Sequence, residues 1–446
     1  MAPIRLTRAR LAALPLALRL ALVAAGLALV IVLAAVVPRL VSAPSGPPAS
    51  GSAATSPSGR GTTAPSGTAS TSPSSAPGSF SATARTSSPP RSAPPPTRAQ
   101  SALARLSLEQ RAAQAMMVGA PVAGADVATL EALRASRAAN VFLRGRTTAG
   151  SAAVAETVAT LRAAVRSTSP QSPFVATDQE GGAVQVLRGP GFTDMPAAVE
   201  QGRMAPAALR RAAAGWGREL AAVGITVNLA PVLDTVPSAG FAPRNAPIGQ
   251  WGREYGYTPE AVAAHGIAFA QGMADGGVAA VPKHFPGLGR VTANTDTASG
   301  VSDPATTRKD PYIAPFAGAV AAGAEWLMVS NARYPAIDPG RDAVFSPTVM
   351  RGMLRGDLGF RGIIISDDIC DAAQLAPVPP ERRGADFLAA GGTMALCTNS
   401  VLAPRVWQGI VDRARADRAF ARTVDDAALR VLEAKERAGL LREAPE

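Results

Sequence analysis

From about residue 101 onward, short apolar runs alternate with longer stretches in which apolar residues recur at helical spacing. This alternation is typical of repeated βα units rather than of a β-sandwich. Eight short runs are strand candidates, at residues 115–118, 140–143, 174–177, 227–232, 279–282, 326–330, 363–366 and 394–397. The helical spacing is clear at residues 126–136, 207–223, 259–274 and 347–358. The pattern predicts an α/β domain over residues 101–446.

Eight βα repeats in about 345 residues predict a closed (β/α)8 barrel of the TIM type. An open, doubly wound sheet is the alternative, but such a sheet normally carries a glycine-rich phosphate turn. Neither G-x-G-x-x-G nor G-x-x-x-x-G-K occurs in the chain. We therefore expect a barrel whose chemistry lies at the strand ends, where the βα loops begin.

A run of eighteen apolar residues, 20–37, lies near the N-terminus. As a helix it would span about 27 Å, close to the ~30 Å hydrocarbon core of a membrane. Four arginines precede the run and one follows it closely: Arg5, Arg8, Arg10, Arg19 and Arg39. This bias predicts a cytoplasmic tip and a transmembrane signal-anchor helix within residues 1–43, which would place the rest of the chain outside the cytoplasm.

A cleaved signal peptide, with secretion of the remainder, is the alternative to a single-pass anchor. Residues 41–43 end in small side chains, as a cleavage site requires, but Pro44 directly after the cut disfavours it. Residues 44–100 are almost wholly Pro, Ser, Ala, Gly and Thr, with Phe80 as the only aromatic residue. Such a segment cannot bury enough apolar surface to fold, so it predicts a disordered linker.

Charge and composition exclude several other functions. The formal net charge is +11, but residues 1–100 contain nine Arg and no Lys, Asp or Glu, which leaves 35 basic against 33 acidic residues in 101–446. A domain so near neutral lacks the basic surface that nucleic-acid binding requires. The chain has two Cys and two His, too few for a Cys/His zinc cluster or a disulfide framework, so we expect neither metal nor cofactor. Cys370 and Cys397 lie in apolar, strand-like runs and are predicted to be buried thiols.

Ionisable residues follow four of the predicted strands. They are found in Asp178-Gln179-Glu180-Gly181-Gly182, at Asp234, in Lys283-His284-Phe285-Pro286-Gly287 and in Asp367-Asp368. For Asp234 and Asp368 alone, a helix N-cap or a solvated loop charge is the preferred interpretation. Taken together, so many ionisable groups at one rim predict an active site there.

Four of these segments, in order and spacing, resemble the family 3 glycoside hydrolases. They are Asp178-Gln-Glu-Gly-Gly, Leu229-Ala-Pro-Val-Leu-Asp234, Lys283-His-Phe-Pro-Gly287 and Gly362-Ile-Ile-Ile-Ser-Asp-Asp368. The similarity covers about residues 103–441 and is closest to the single-barrel β-N-acetylglucosaminidases that trim peptidoglycan fragments. It implies a monomeric, retaining β-glycosidase that releases terminal N-acetylglucosamine from cell-wall fragments or other glycans.

The resemblance also implies roles for individual residues. Asp367 matches the position of the nucleophile, which would form a covalent glycosyl intermediate. The residues at positions that hold the terminal sugar are Asp178, Arg253, Lys283 and His284. Two residues are inserted before Arg253 relative to the family, between Ile248-Gly249 and the Arg-Glu-Tyr-Gly segment. His265 is assigned no chemistry.

The sequence departs from the family pattern at two places. Where the family has an Asp-Ser-His triplet whose His is the acid/base, this chain has Asn294-Thr295-Asp296. We expect Asp296 to be the acid/base and Asn294 to orient it by a hydrogen bond. Val186 stands where the family usually has a sugar-contacting Arg, and the side chain of Arg188 is expected to point away from the sugar.

Two alternatives to a β-N-acetylglucosaminidase remain. One is a catalytically impaired barrel that binds glycan, and the other is a β-glucosidase-type hydrolase.

Overall fold

A computed structural model of the chain describes residues 95–442. The predicted anchor at residues 20–37 and almost all of the predicted linker at 44–100 lie outside the described residues. Between residues 95 and 442, no helix is both long and apolar enough to cross a membrane. The first described helix, Arg98–Ala104, begins just before the predicted start of the domain.

Each of the eight predicted apolar runs overlaps a strand, and the structure adds one hairpin. The ten strands are β1 (Met116–Pro121), β2 (Val141–Arg144), β3 (Val175–Thr177), β4 (Gln179–Gly181), β5 (Val184–Gln185), β6 (Val227–Asn228), β7 (Ala279–Ala280), β8 (Trp326–Val329), β9 (Ile363–Ser366) and β10 (Ala395–Cys397). The β4–β5 pair is an antiparallel hairpin, whereas all the other paired strands are parallel.

Helices separate most of the strands, as the spacing predicts. They are α1 (Arg98–Ala104), α2 (Leu108–Gln114), α3 (Val127–Ala135), α4 (Ser151–Arg166), α5 (Ala198–Gln201), α6 (Pro206–Ala222), α7 (Pro259–Asp275), α8 (Ala314–Ala321), α9 (Pro380–Ala390), α10 (Ala403–Ala416) and α11 (Arg418–Arg437). The stretch predicted to be helical at 347–358 forms a π-helix, Thr348–Asp357.

The expected closed eight-stranded barrel is wrong. Regular ladders form an open, six-stranded parallel sheet in the order β10-β1-β2-β3-β6-β7 and a separate β8–β9 pair. Only isolated bridges, Phe285↔Val329 and Ile365↔Met394, lie between the two sheets. One physical reason is proline, which has no N–H to donate to a ladder. Pro231 and Pro282 follow closely on β6 and β7, each of which has only two residues.

Most of the strand residues are buried on both faces of the sheet, which explains why the strands appear in the sequence as continuous apolar runs. Every residue of β8 and β9 is buried. At the N-terminal ends of the strands, Phe174 and Trp326 form an edge-to-face pair with ring centroids 5.0 Å apart. This closely packed core leaves the carboxyl ends of the strands free to carry polar loops.

The two cysteines form a disulfide, so the expectation of two buried thiols is wrong. Cys370 lies in the turn after β9, and Cys397 is the last residue of β10. Isolated bridging brings these two strand ends together, and the two Cα atoms lie 5.0 Å apart. A separation of this size is ordinary for a disulfide. The bond joins the loops that follow β9 and β10.

Candidate active site

A cavity of about 530 Å³ opens at the carboxyl ends of the strands. Its walls come from the loops after β2, β3, β6, β7, β9 and β10. All six residues proposed from the sequence line it: Asp178, Arg253, Lys283, His284, Asp296 and Asp367. The structure therefore brings together side chains that are up to 189 positions apart in the chain, from 178 to 367.

A buried ionic cluster forms one part of the cavity wall. The Lys283 Nζ lies 2.6 Å from an oxygen of Asp178 and 2.6 Å from an oxygen of Glu180. Arg253 donates to both oxygens of Glu180, through Nε at 2.8 Å and Nη2 at 2.7 Å. Arg253 also donates to the carbonyl oxygen of Pro247. The Lys283 side chain is only 3% exposed, so its charge requires these partners.

Opposite charges within this cluster shift the pKa of Glu180, Lys283 and Arg253 toward the charged forms. Burial alone would raise the pKa of Glu180, but Arg253 and Lys283 outweigh it and lower that pKa to about 2. Burial opposes the charge on Lys283 as well, yet Asp178 and Glu180 raise its pKa above the ordinary value. The pKa of Arg253 is raised for the same reason, chiefly by Glu180 against the effect of burial. Glu180, Arg253 and Lys283 therefore stay ionised at neutral pH and form a fixed part of the cavity wall.

Glu180 was not proposed as a site residue from the sequence. Two signals could have identified it. It lies two positions from Asp178, which in extended chain places both side chains on one face. A lysine buried at a strand end also requires more than one acceptor. Glu180 therefore acts as the link that holds Lys283 and Arg253 in place.

Asp234 is neither an N-cap nor a solvated loop charge, so the preferred interpretation of this residue is wrong. Its carboxylate is fully buried and lies 2.6 Å from Nδ1 of His284. It also accepts the backbone N–H groups of His284 at 3.2 Å and Leu288 at 2.7 Å. A carboxylate beside Nδ1 keeps a proton on that nitrogen and orients the ring. His284 can therefore use only Nε2 toward a ligand.

Asp367 lies at the end of β9 and faces the cavity. Its Oδ1 accepts the backbone N–H of Asp368 at 2.8 Å. Burial is the main cause that raises the pKa of Asp367 to about 6. Electrostatic interactions with His284 and Lys283 lower the value, and interaction with Asp296 raises it. A carboxylate in this environment is ionised at neutral pH and poorly solvated, as a nucleophile should be.

Asp368 does not cap a helix, so this preferred interpretation is also wrong. Its carboxylate accepts the N–H groups of Cys370 and Asp371, at 3.0 and 2.9 Å, within the turn after β9. It also accepts the N–H and the hydroxyl of Thr398, at 3.0 and 2.7 Å. Burial raises the pKa of Asp368 in spite of these donors. Asp368 therefore connects the β9 loop to the β10 loop beside Asp367.

Asp296 reaches the same cavity from the loop after β7, and its side chain is exposed. Asn294 makes the expected hydrogen bond, but to the backbone: its Oδ1 accepts the N–H of Asp296 at 2.9 Å. The carbonyl oxygens of Thr295 and Asp296 accept the N–H groups of Gln374 and Ala373, at 3.0 and 3.2 Å. These bonds hold the Asp296 loop against the segment that follows Asp367.

The remaining residues singled out in the sequence lie where they carry no direct chemistry. Val186 lines the cavity, whereas Arg188 turns away and donates to Asp194 and to the carbonyl oxygen of Gly182. Both ring nitrogens of His265 face backbone carbonyl oxygens, at 2.8 and 2.9 Å, and the ring stacks on Tyr255. In the part of the chain that the structure describes, no group of three or more His, Cys, Asp or Glu residues is arranged to hold a metal ion.

Comparisons with known proteins show which family the chain is similar to. The family model for the glycosyl hydrolase family 3 N terminal domain matches residues 107–434. A beta-hexosaminidase of Stenotrophomonas maltophilia (strain K279a) is 36% identical over 224 residues, which are 48% of this chain and 64% of that protein. A beta-hexosaminidase of Xanthomonas axonopodis pv. citri (strain 306) is 32% identical over 303 residues, 66% of this chain and 86% of that protein. The chain thus matches a little under two thirds of the Stenotrophomonas relative.

Two solved structures extend the comparison. The beta-N-acetylhexosaminidase from Beutenbergia cavernae DSM 12333 is 49% identical with a TM-score of 0.73, over 75% of this chain and 99% of that chain. The family 3 beta-N-acetylglucosaminidase from Paenibacillus sp. str. FPU-7 is 27% identical with a TM-score of 0.67, over 76% and 64% of the two chains. The chain therefore belongs to glycosyl hydrolase family 3 and resembles that family's β-N-acetylhexosaminidases.

Proposed function

We propose that the protein is a retaining β-N-acetylhexosaminidase that releases terminal N-acetylglucosamine from cell-wall, peptidoglycan-type fragments or other glycans. The observation that carries the proposal is a single cavity in which Asp367 faces the sugar-binding candidates Asp178, Lys283 and His284. The names of the relatives support the substrate class. The cell-wall origin of the glycan rests on the family resemblance alone.

The contacts define what each wall of the cavity offers a terminal sugar. Asp178 has one oxygen that is not bonded to Lys283, and this oxygen accepts from sugar hydroxyls. Arg253 has five N–H donors and commits three of them, to Glu180 and Pro247. Lys283 and the Nε2 of His284 complete the set of groups that bind hydroxyl or acetamido oxygens.

In the proposed reaction, the Asp367 carboxylate attacks the anomeric carbon as the bond to the leaving oxygen breaks. The leaving oxygen takes a proton from Asp296, and a glycosyl ester of Asp367 remains. Water then loses a proton to Asp296 and attacks the same carbon, which frees Asp367 and restores the original configuration. For this step Asp296 must carry the proton when the substrate is bound.

The test is turnover by the full chain on β-N-acetylglucosaminides, β-glucosides and purified muropeptides, with the first-formed anomer observed by NMR. We expect cleavage of the N-acetylglucosaminides with the β-anomer released first, and a loss of several orders of magnitude in Asp367→Ala. Release of the α-anomer, or equal activity in Asp367→Ala, would contradict the mechanism.

Two further outcomes correspond to the alternatives. Cleavage of β-glucosides alone would favour a β-glucosidase-type hydrolase. Binding of muropeptides without any turnover would favour a catalytically impaired, glycan-binding protein. The observation in favour of impairment is the replacement of the family's acid/base His by an exposed Asp296.

A further inference from the structure

Trp251 is an exposed aromatic side chain on the wall of the active-site cavity. It ends a short 3₁₀ helix, Gly249–Trp251, and is 55% exposed. In the described part of the chain, the large hydrophobic side chains left exposed are Val127, Trp251 and Val401, and Trp251 is the aromatic one among them. An exposed indole on a cavity wall offers a flat, apolar face on which a ligand can stack.

The indole is held in position by its surroundings. Its Nε1 donates to the carbonyl oxygen of Ala246 at 3.0 Å. Asn245 anchors the same loop, because its Nδ2 donates to two carbonyl oxygens of the β7 loop, at 2.8 and 2.7 Å, and its Oδ1 accepts the N–H of Gly249. Gly252 follows in the left-handed region with φ of +63°, a conformation that other residues rarely adopt. The ring is therefore presented as a preorganised flat surface.

Trp251 lies nearer the solvent than the residues that would hold the terminal sugar. Lys283 is almost fully buried at the cavity wall, whereas Trp251 is more than half exposed on the same cavity. Arg253, two positions from Trp251, is the link to the buried cluster through Glu180. When the terminal sugar of a chain fills the buried part of the cavity, the second sugar therefore lies on the solvent side, beside Trp251.

Trp251 lies in a stretch whose length differs from the family pattern. Three residues, Gln250, Trp251 and Gly252, stand between Ile248-Gly249 and the segment that begins at Arg253, two more than the family has there. The family resemblance therefore assigns no role to Trp251.

We propose that Trp251 is the stacking surface of a second sugar subsite, which receives the pyranose ring on the leaving-group side of the substrate. The proposal rests on the proposed function. The C–H face of a pyranose is apolar and matches the electron-rich face of an indole. Because the indole N–H is already bonded to Ala246, the ring offers an apolar face and no free polar group. The subsite therefore selects substrates with at least two sugars.

The test uses the full chain carrying Asp367→Asn, so that sugars bind without turnover. The probes are N-acetylglucosamine and its β-1,4-linked dimer, and their affinities are measured by calorimetry. We expect Trp251→Ala to weaken binding of the dimer about tenfold and that of the monosaccharide by much less, while Trp251→Phe restores part of the loss. Val127→Ala, which removes an exposed apolar side chain outside the cavity lining, is the matched control.

The outcomes separate the subsite from the proposed function. Equal losses for the monosaccharide and the dimer, or no loss for either, would overturn the subsite. The subsite would also be overturned if the Asp367→Asn protein with Trp251 intact did not bind the dimer. A third outcome is possible: the dimer binds more tightly than the monosaccharide and does so through Trp251, yet the wild-type protein hydrolyses neither β-N-acetylglucosaminides nor β-glucosides. That outcome would support the subsite and contradict the proposed function.

Discussion

Among single residues, Asp367 makes the sharpest prediction about activity. Its pKa is about 6, mainly because the carboxyl is buried. A nucleophile acts in its ionised form, which is populated above the pKa, so kcat/KM should rise as the pH increases through about 6. The measurement is the pH profile of kcat/KM for an activated aryl N-acetylglucosaminide. An acidic limb near pH 4, where a solvated Asp titrates, would contradict the environment assigned to Asp367.

The role of Asp296 is tested by the leaving group. If Asp296 protonates the leaving oxygen, Asp296→Ala should strongly slow the cleavage of poor leaving groups such as sugars and barely slow activated aryl groups, which need little protonation. Asp371, another carboxylate on the cavity wall, provides the matched control, since Asp371→Ala should not alter the dependence on leaving group. Equal slowing of both substrate classes by Asp296→Ala would exclude it as the acid.

Lys435 predicts a pH dependence of stability that is independent of catalysis. It is fully buried, and burial lowers its pKa from 10.5 to about 7. A neutral amine can still donate to Oε1 of Gln114 and the carbonyl oxygen of Ala139, at 2.8 and 3.1 Å. Between pH 7 and about 10.5 the unfolded state binds one more proton than the folded state, so stability due to this group rises with pH.

Comparison with Lys435→Met isolates this effect. The free energy of unfolding of the wild type should increase relative to that of the variant as the pH rises from 7 to 10, by a few kcal/mol at most. Denaturant unfolding of both proteins at several pH values measures the difference, in which all other titrating groups cancel. Parallel curves for the two proteins would show that Lys435 titrates normally.

The sequence was sufficient to predict that the candidate residues after recognisable strands lie together at one cavity. Asp178, Lys283, His284 and Asp367 all line one cavity because parallel strands deliver their carboxyl ends to the same side. Asp234 was misjudged because its partner, His284, is 50 positions away, and an isolated Asp after a strand usually contacts solvent. Burial and partnership of a charge depend on tertiary contacts, which no local pattern contains.

Among the secondary-structure elements, too, some features were predicted from the sequence and others were not. Periodicity located the strands well, and β9 matches its predicted run of 363–366 residue for residue. It could not show that β6 and β7 stop after two residues, because pairing partners rather than hydrophobicity determine where a ladder ends. The hairpin β4–β5 was also missed. Its turn needs the positive φ of Gly181 and Gly182, and the polar sequence around them is equally typical of a loop.

The disulfide makes a prediction about the loops after β9 and β10. Cys370 lies three positions after Asp367, and Cys397 precedes Thr398, which bonds to Asp368. Replacing both cysteines by serine should destabilise the fold by about 3 to 4 kcal/mol in the chain-entropy model for a separation of 27 residues. It should also lower kcat, because the loop that carries Asp367 loses a tether.

Thermal unfolding and steady-state kinetics of the double serine variant check both effects, with the wild type treated with a reductant as the matched comparison. Reduction and replacement should act alike. If the melting temperature and kcat of the variant equal those of the oxidised wild type, the bond has no such role.

For the whole molecule, we propose a location outside the cytoplasm, from the distribution of charge and from the disulfide. Nine of the arginines and no acidic residue lie in residues 1–100, and four of them precede the apolar run at 20–37. Arginines followed by an apolar run are typical of an export signal. Disulfides persist in oxidising compartments and are rare in the cytosol. The Cys370–Cys397 bond, which belongs to the folded domain, supports this proposal independently of the N-terminal sequence.

This location predicts the behaviour of a reporter fused after residue 100. Alkaline phosphatase, which needs an oxidising compartment, should be active in the fusion, and deletion of residues 1–43 should abolish its activity. The deletion is the matched control, because it removes the arginines and the apolar run and leaves the linker unchanged. In the same cells, the exported domain should show no free thiol after denaturation, whereas the domain retained by the deletion should show two, from Cys370 and Cys397. A fusion that is active only as a cytoplasmic reporter, with both thiols free, would contradict the location and the physiological role of the disulfide together.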